Sequence, residues 1–388
     1  MLKIGVCGMS WFGDTFAHTF SLHPDVGEIV GADTSEAVRN HVLEKKRVTR
    51  MYRTMDELCM SDVDAVLVSS PPWLHVEHTL QALAAGKHVL CACPAALNMD
   101  DLNKVVEAVK KSGLVYMTAE TSYYYPDTVY CKKLNEEGRF GDIVFTRASY
   151  NFAPLYSGYD FWTRDYYGNF PSVLYMTHST ARILGAIGKR FTKVSAMGTT
   201  RLHPTVQNAK RLPEYSENEF SNMSTFLRMD NESNCQINEF RNVAAGGEDF
   251  SVYGTDAVFS NNTGTDLTLS SKGNVEDLKY LVEPYWYKYV MPTTYEEKHP
   301  HYNLLKKMPK PKGENWGSSI HQGSHAFLVH EFVSCCLEDK LPLNNVWTSA
   351  KYCAPGIMAY ESVKNGGAWM EIPDFGEPSA NKKLFTWD

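Results

Sequence analysis

The feature that most restricts this chain stands at its start. An apolar run, Leu2 to Cys7, leads directly into Gly8-Met9-Ser10-Trp11-Phe12-Gly13 and then into the helical spacing of Phe16, Phe20 and Leu22. A short run without polar alternation is what a strand buried on both faces of a parallel sheet requires. The turn matches G-x-G-x-x-G with Ser10 in the middle glycine's place, a pattern whose glycines let backbone approach a pyrophosphate at a helix N-terminus. A second run, Glu28 to Ala32, ends in Asp33, 25 residues after Gly8, where an acid meets the adenine ribose hydroxyls. A carboxylate there repels a 2′-phosphate, so the spacing favours NAD over NADP. A helix-capping role for Asp33 is the competing reading. Gly8, Ser10, Trp11, Phe12, Gly13 and Asp33 are the cofactor-binding candidates from this segment.

Strand and helix patterns keep alternating. Val63 to Val68 reads as a strand, Ser69-Ser70-Pro71-Pro72 as a turn, and His75 to Ala85 as a helix closed by Gly86. Lys87 to Cys91 is the next strand, Asn98-Met99-Asp100-Asp101 caps a helix through Lys111, and Leu114 to Thr118 is a further strand. This predicts an α/β Rossmann domain over 1–122 whose ligand lies beyond the carboxyl ends of the strands, near Gly8, Asp33, Ser70 and Cys93. From 123 to 388 the pattern changes. A helix from Asp127 stops at Gly138, and strands follow at 143–150, 192–197, 223–229, 235–240 and 249–253. The expectation is an α+β domain with a large, open, mostly antiparallel sheet for substrate binding and oligomerisation, with C-terminal helices free to pack back on the first domain. Lys279 to Lys312, carrying Tyr285, Trp286, Tyr287 and Tyr289, reads as a long irregular loop able to wall a cleft. Val329, Phe332, Val333, Cys336 and Leu337 mark the core face of a late helix.

Composition removes several classes. At 388 residues with 43% hydrophobic and 21% charged side chains, the chain can bury a full core, and disorder has no support. A net charge of −7 argues against a nucleic-acid surface. The basic run Lys45, Lys46, Arg47, Arg50, Arg53 reads as a solvated helix face. Nine cysteines without a CxxC pair read as reduced thiols. No signal peptide or membrane span is visible, so a cytoplasmic protein is expected. Twenty-two Tyr and eight Trp suit a cleft that binds a ligand with apolar faces and hydroxyls, such as a sugar.

The motifs from Asp64 onward resemble a known group, the glucose-fructose oxidoreductase, inositol dehydrogenase and rhizopine-catabolism (Gfo/Idh/MocA) family of NAD(P)-dependent sugar enzymes. Asp64-Ala65-Val66-Leu67-Val68-Ser69-Ser70-Pro71-Pro72-Trp73-Leu74-His75 is similar to the family's D-A-V-x-I-x-T-P-x-x-x-H, and Gly86 to Pro94 to its G-K-H-V-x-x-E-K-P. The resemblance implies cofactor contacts from Ser70, Pro71, His75, Cys93 and Pro94. The family's catalytic Glu-Lys is Ala92-Cys93 here, and the aspartate of its Asp-x-x-x-His is Leu174. The branch that includes NAD-dependent α-N-acetylgalactosaminidases also lacks the lysine. It carries Tyr-x-Thr-His, similar to Tyr175-Met176-Thr177-His178, a Glu-Asn segment similar to Ala119-Glu120-Thr121, and a functional tyrosine where Tyr150 falls. That resemblance implies tightly bound, recycled NAD and a homo-oligomer, dimer or tetramer.

Chemistry at a ring hydroxyl needs a base for its proton as hydride leaves, and a neutral imidazole suits that near pH 7. His178 is that candidate, with Tyr175 one turn before it and Tyr150 or Glu120 as a second base. Cys93, Tyr123, His321 and His325 are candidates for substrate contact. His321 and His325 are four apart but have no third ligand, and no metal is expected. Three functions follow: a glycosidase-like enzyme that oxidises a ring hydroxyl, expected at C3, eliminates, hydrates and reduces; a plain NAD-dependent sugar or polyol dehydrogenase; and a non-catalytic NAD(H) sensor.

Overall fold

The computed structural model describes residues 1–151, 171–199, 215, 220, 222–241, 243, 246–262, 266–281, 290–318, 320–378 and 382–387. Tyr285, Trp286, Tyr287 and Tyr289 lie outside them. The chain divides into two compact units, the first comprising Met1–Pro126, Glu283–Ala350 and Phe375–Asp388, the second Asp127–Val282 and Lys351–Asp374. The C-terminal segment 283–350 is therefore part of the first unit.

In the first unit, β1 (Leu2–Cys7), β2 (Val26–Ala32), β3 (Arg50–Tyr52), β4 (Ala65–Val68), β5 (His88–Cys91) and β6 (Tyr116–Thr118) form an all-parallel sheet in the order β3-β2-β1-β4-β5-β6. The order reverses between β1 and β4, which places the crevice for a ligand at the carboxyl ends of those two strands. Crossover helices are α1 (Trp11–Leu22), α2 (Glu36–Glu44), α3 (Met55–Cys59), α4 (His75–Ala84) and α5 (Met99–Ser112). Their ends follow local chemistry. The Asn98 side chain accepts from Asp101 N at 2.9 Å, Asp100 and Asp101 fill the first turn, Lys110 and Lys111 the last, and Gly113 closes α5 left-handed. The basic run is not a helix face. Lys45 is the C-cap of α2, Lys46 and Arg47 lie in the turn after it, and Arg50 begins β3, because α2 ends at Glu44. Later in this unit come α8 (Tyr302–Lys307) and α9 (Ser324–Glu338). Val329, Phe332 and Val333 of α9 are buried as expected, but Leu337, in its last turn, is 47% exposed.

The second unit carries α6 (Pro126–Glu136), α7 (Thr177–Ile187) and most of α10 (Val346–Lys364). Its nine-stranded sheet consists of β7 (Ile143–Asn151), β8 (Phe191–Thr199), β9 (Asn222–Met229), β10 (Asn234–Phe240), β11 (Gly247–Gly254), β12 (Val258–Asn262), β13 (Asp266–Ser271), β14 (Asn274–Asp277) and β15 (Met370–Glu371). The order is β14-β13-β12-β11-β7-β10-β9-β8-β15, and every pair is antiparallel except β7 with β10. Alternation is strict in β9, where Met223, Thr225, Leu227 and Met229 point inward and Phe226 and Arg228 outward. At the β11 turn a Cβ on Gly254 would collide with the Phe140 carbonyl, so only glycine lets these backbones meet. Among the described residues no helix is long and apolar enough to cross a membrane.

Candidate functional site

The strand ends of the first unit carry one set of candidate residues. Gly8 has φ +90°, and a Cβ there would sit 2.5 Å from Ser69 O and 2.7 Å from Ser70 N; a Cβ on Gly13 would collide with the Gly8 carbonyl. Both glycines are thus required sterically. Ser10 is the exposed N-cap of α1 with extended backbone, a conformation that needs no glycine, which accounts for its standing in the middle position. Asp33, at the end of β2, accepts from Met9 N and from Ser35 N, both at 2.9 Å. The carboxylate therefore ties the glycine turn to the start of α2, whose own N-cap is Ser35. Ser69, which the sequence reading passed over, donates its hydroxyl to Gly8 O at 2.8 Å and so joins the end of β4 to the same turn.

His75 is fully buried. Its Nε2 lies 2.7 Å from Ser70 O and its Nδ1 2.8 Å from Pro94 O, so it pins the loop after β4 to the loop after β5, next to Pro71. Burial pushes the imidazole down to about 4 against the pull of both carbonyls, and the neutral ring has one N–H to donate. The Ser70 hydroxyl is 2.9 Å from His78 Nδ1. Ala92, Cys93, Ala95 and Ala96 are buried, the Cys93–Pro94 peptide is cis, and all nine cysteines are free thiols. After β6, Glu120 is buried and accepts from Ser122 N at 3.2 Å. The following turn carries Tyr123, edge-on to Tyr124 at 5.1 Å between ring centroids. Tyr124 in turn donates its hydroxyl to Glu331 at 2.6 Å. His321 and His325 stand against the glycine turn, with Trp11 5.7 Å from His321 and Phe12 5.7 Å from His325.

Within the second unit lies an aromatic and ionic cluster. Tyr175 ends a short 3-10 turn and His178 is the second residue of α7; His178 is 5% exposed, and its ring is 5.2 Å from each of Tyr175 and Tyr150, which are 6.2 Å apart. Helix α7 is held from behind. Thr180 donates to Tyr352 O at 2.9 Å, and Gly356 of α10 lets the Val173 carbonyl come close. Two residues that the sequence reading missed complete the cluster. The Arg241 guanidinium lies 5.0 Å from the Tyr150 ring centroid and 5.7 Å from that of Tyr175, and it pairs with Glu239 at 3.1 Å. Glu239 also accepts from Ser179 at 2.8 Å. Both ionic groups are buried. Burial pushes the Glu239 carboxyl up to about 7, outweighing the Arg241 charge, the Ser179 hydrogen bond and the His178 charge, which act to lower it. The position is set by register, because Glu239 is the partner of Tyr150 across the parallel β7–β10 pair.

A parallel sheet with two obligatory glycines, an acid after β2 and strand-end loops braced around them defines an NAD-binding Rossmann domain. Residues 2–120 match the Gfo/Idh/MocA oxidoreductase family with an NAD-binding Rossmann fold. It is 31% identical over 145 residues to 2,7-anhydro-N-acetylneuraminate hydratase of Escherichia coli (strain K12), covering 37% of this chain and 38% of that one. The chain spans about two fifths of the length of its first curated relatives. It is 23% identical over 403 residues to a glycosyl hydrolase family 109 protein of Streptomyces niveus, covering 96% of this chain and 77% of that one. The fold is shared with levoglucosan dehydrogenase in complex with NADH, with a TM-score of 0.77, 17% identity and coverage of 96% and 100%.

Proposed function

We propose that the protein is an enzyme acting on a sugar or glycoside, in which a ring hydroxyl carbon, C3, is oxidised and later reduced, with the C1 substituent lost in between. The observation that carries this reading is the cluster of His178, Tyr150 and Tyr175 backed by the buried Arg241–Glu239 pair. Bound NAD supplies a hydride acceptor and donor. Gly8, Gly13 and the end of β2 would hold it, with Ser70, Pro71, Cys93 and Pro94 along its strand-end crevice. His178 takes the C3 hydroxyl proton. The ketone acidifies the C2 proton; Tyr150 as its phenolate, with Glu120 as the alternative base, takes that proton, a C1–C2 double bond forms, and the C1 substituent leaves with a proton from solvent. The Arg241 cation lies 5.0 Å from the Tyr150 ring centroid, where it stabilises the phenolate that acts as the base and becomes neutral on taking the proton. Water then adds its hydroxyl at C1 and releases a proton to solvent as the base returns a proton to C2, and hydride from the bound cofactor with the proton on His178 would restore the C3 alcohol.

The names of two relatives support the cycle. A hydratase and a glycosyl hydrolase both add water without net redox change, yet the family binds NAD. Glycosidases that depend on NAD in this way need no pair of catalytic carboxylates. Cys93 is consistent with the same cycle, since the lysine of ordinary members is absent. The reading includes a soluble, cytoplasmic homo-oligomer joined through the open face of the nine-stranded sheet, where Met197 and Phe226 are 74% and 50% exposed. The test is a panel of aryl and alkyl glycosides given to the purified protein while free aglycone and NADH absorbance are followed together. Aglycone release at constant NADH is expected. NADH formed in proportion to sugar, without release, identifies a plain dehydrogenase, and cofactor binding without either signal identifies a sensor.

A further inference from the structure

Helices α1 and α9 run parallel, with their N-termini side by side. Phe12 and Phe16 at the start of α1 meet His325 at the start of α9, at 5.7 and 4.2 Å, whereas Phe20 meets Phe332 further along both helices, at 6.4 Å. Each N-terminus carries partial positive charge and unpaired N–H groups, so two placed together repel unless an anion lies across both. Neither cap supplies one. Ser10 and Gly323 make no side-chain capping bond. The acid in the first turn of α1, Asp14, is paired with Lys45 at 3.1 Å and Arg47 at 3.5 Å, and α9 has no acid in its first turn.

A second observation marks the same place. Gln322 Oε1, Ser324 Oγ and His325 Nδ1 are buried atoms without a hydrogen-bond partner in the chain, and Ser324 and His325 are 0% and 1% exposed. Side chains in the first turn of a helix lean toward its N-terminus, so Ser324 and His325 lean to the end that faces Trp11 and Phe12. Orphaned polar atoms at this density call for a polar group from outside the chain. The approach to α9 is left-handed at three successive residues, His321 (φ 50°), Gln322 (φ 55°) and Gly323 (φ 80°), and His321 Nδ1 lies 2.7 Å from His325 Nε2.

We propose that the N-terminal end of α9, with Ser324, His325 and His321, is a second wall of the seat for the dinucleotide's diphosphate. The anion is then bridged by two helix N-termini instead of being held by the Gly8–Gly13 turn alone, and His321 and His325 serve the cofactor where the sequence suggested substrate. The test uses the full chain and displacement of bound NADH, followed by its fluorescence, with two competitors, ADP-ribose and adenosine. Ser324→Ala and His321→Asn should each weaken ADP-ribose about tenfold, the scale of one lost hydrogen bond to a charged group, and leave adenosine within about twofold. Asparagine tolerates left-handed backbone, so His321→Asn keeps the chain path. Unchanged ADP-ribose affinity in both variants overturns the proposal. So does an equal loss for both competitors, which marks a structural role.

Discussion

Glu239 is the group whose chemistry is most sharply set by its surroundings, and Glu239→Gln isolates it. The carboxyl is fully buried and held at about 7 against an ordinary 4.5, although Arg241 lies 3.1 Å away, so desolvation outweighs the ion pair. The sign follows by linkage. Between pH 4.5 and 7 the folded state binds the proton that the unfolded chain has released. The contribution of this group is therefore fully present below 4.5 and is lost as pH rises through 7. A rise from 4.5 to about 7 at about 1.4 kcal/mol per unit makes the loss roughly 3 kcal/mol. Glutamine copies the protonated acid in shape and does not titrate. Urea unfolding of wild type and Glu239→Gln from pH 4.5 to 8.5 should show the variant gaining about 3 kcal/mol relative to wild type over that span, most of it by pH 7. Parallel pH curves for the two proteins would instead mean that Glu239 ionises in the fold as readily as in the open chain, with no net cost of burial.

Three further outcomes follow from the same geometry. His178→Ala should abolish turnover while NAD affinity stays within about tenfold, or 1.4 kcal/mol, by NADH fluorescence titration; a larger loss would place His178 in the cofactor site. Gly13→Ala drives a methyl into the Gly8 carbonyl and should reduce NAD affinity by well over tenfold, read by calorimetry, with near-wild-type binding counting against the turn as the diphosphate seat. The proposed homo-oligomer is tested by Phe226→Arg on the open sheet face: wild type should run as a dimer or tetramer in light scattering and the variant as a monomer at unchanged circular dichroism, whereas equal masses would count against this interface.

The first unit was legible in its sequence because its rules are local. The apolar run of β1, the glycine turn, Asp33 at the end of β2 and the Asn98 cap of α5 each act within a few residues of where they stand. Five strands of the second sheet were also visible as apolar runs, while β12, β13 and β14, short and rich in Ser, Asn and Thr, were not. Arg241 and Glu239 escaped notice for a different reason. They meet Tyr150 only through the parallel β7–β10 pairing, across about ninety residues, and no spacing rule announces a partner at that separation. Ser69 and His78 are side chains whose value depends on which backbone carbonyl or hydroxyl the fold brings near. Leu337 was misplaced because periodicity marks a helix face but not where the helix runs out into solvent.

In the proposed cycle hydride leaves the sugar and comes back, with C2 deprotonated in between. Its most direct measurement is turnover of a cleavable glycoside in heavy water, with the released sugar read by proton NMR. Such a cycle leaves deuterium at C2, none at C3, and no net change in NADH. Cleavage with hydrogen retained at C2 would contradict it, because no elimination could then have occurred.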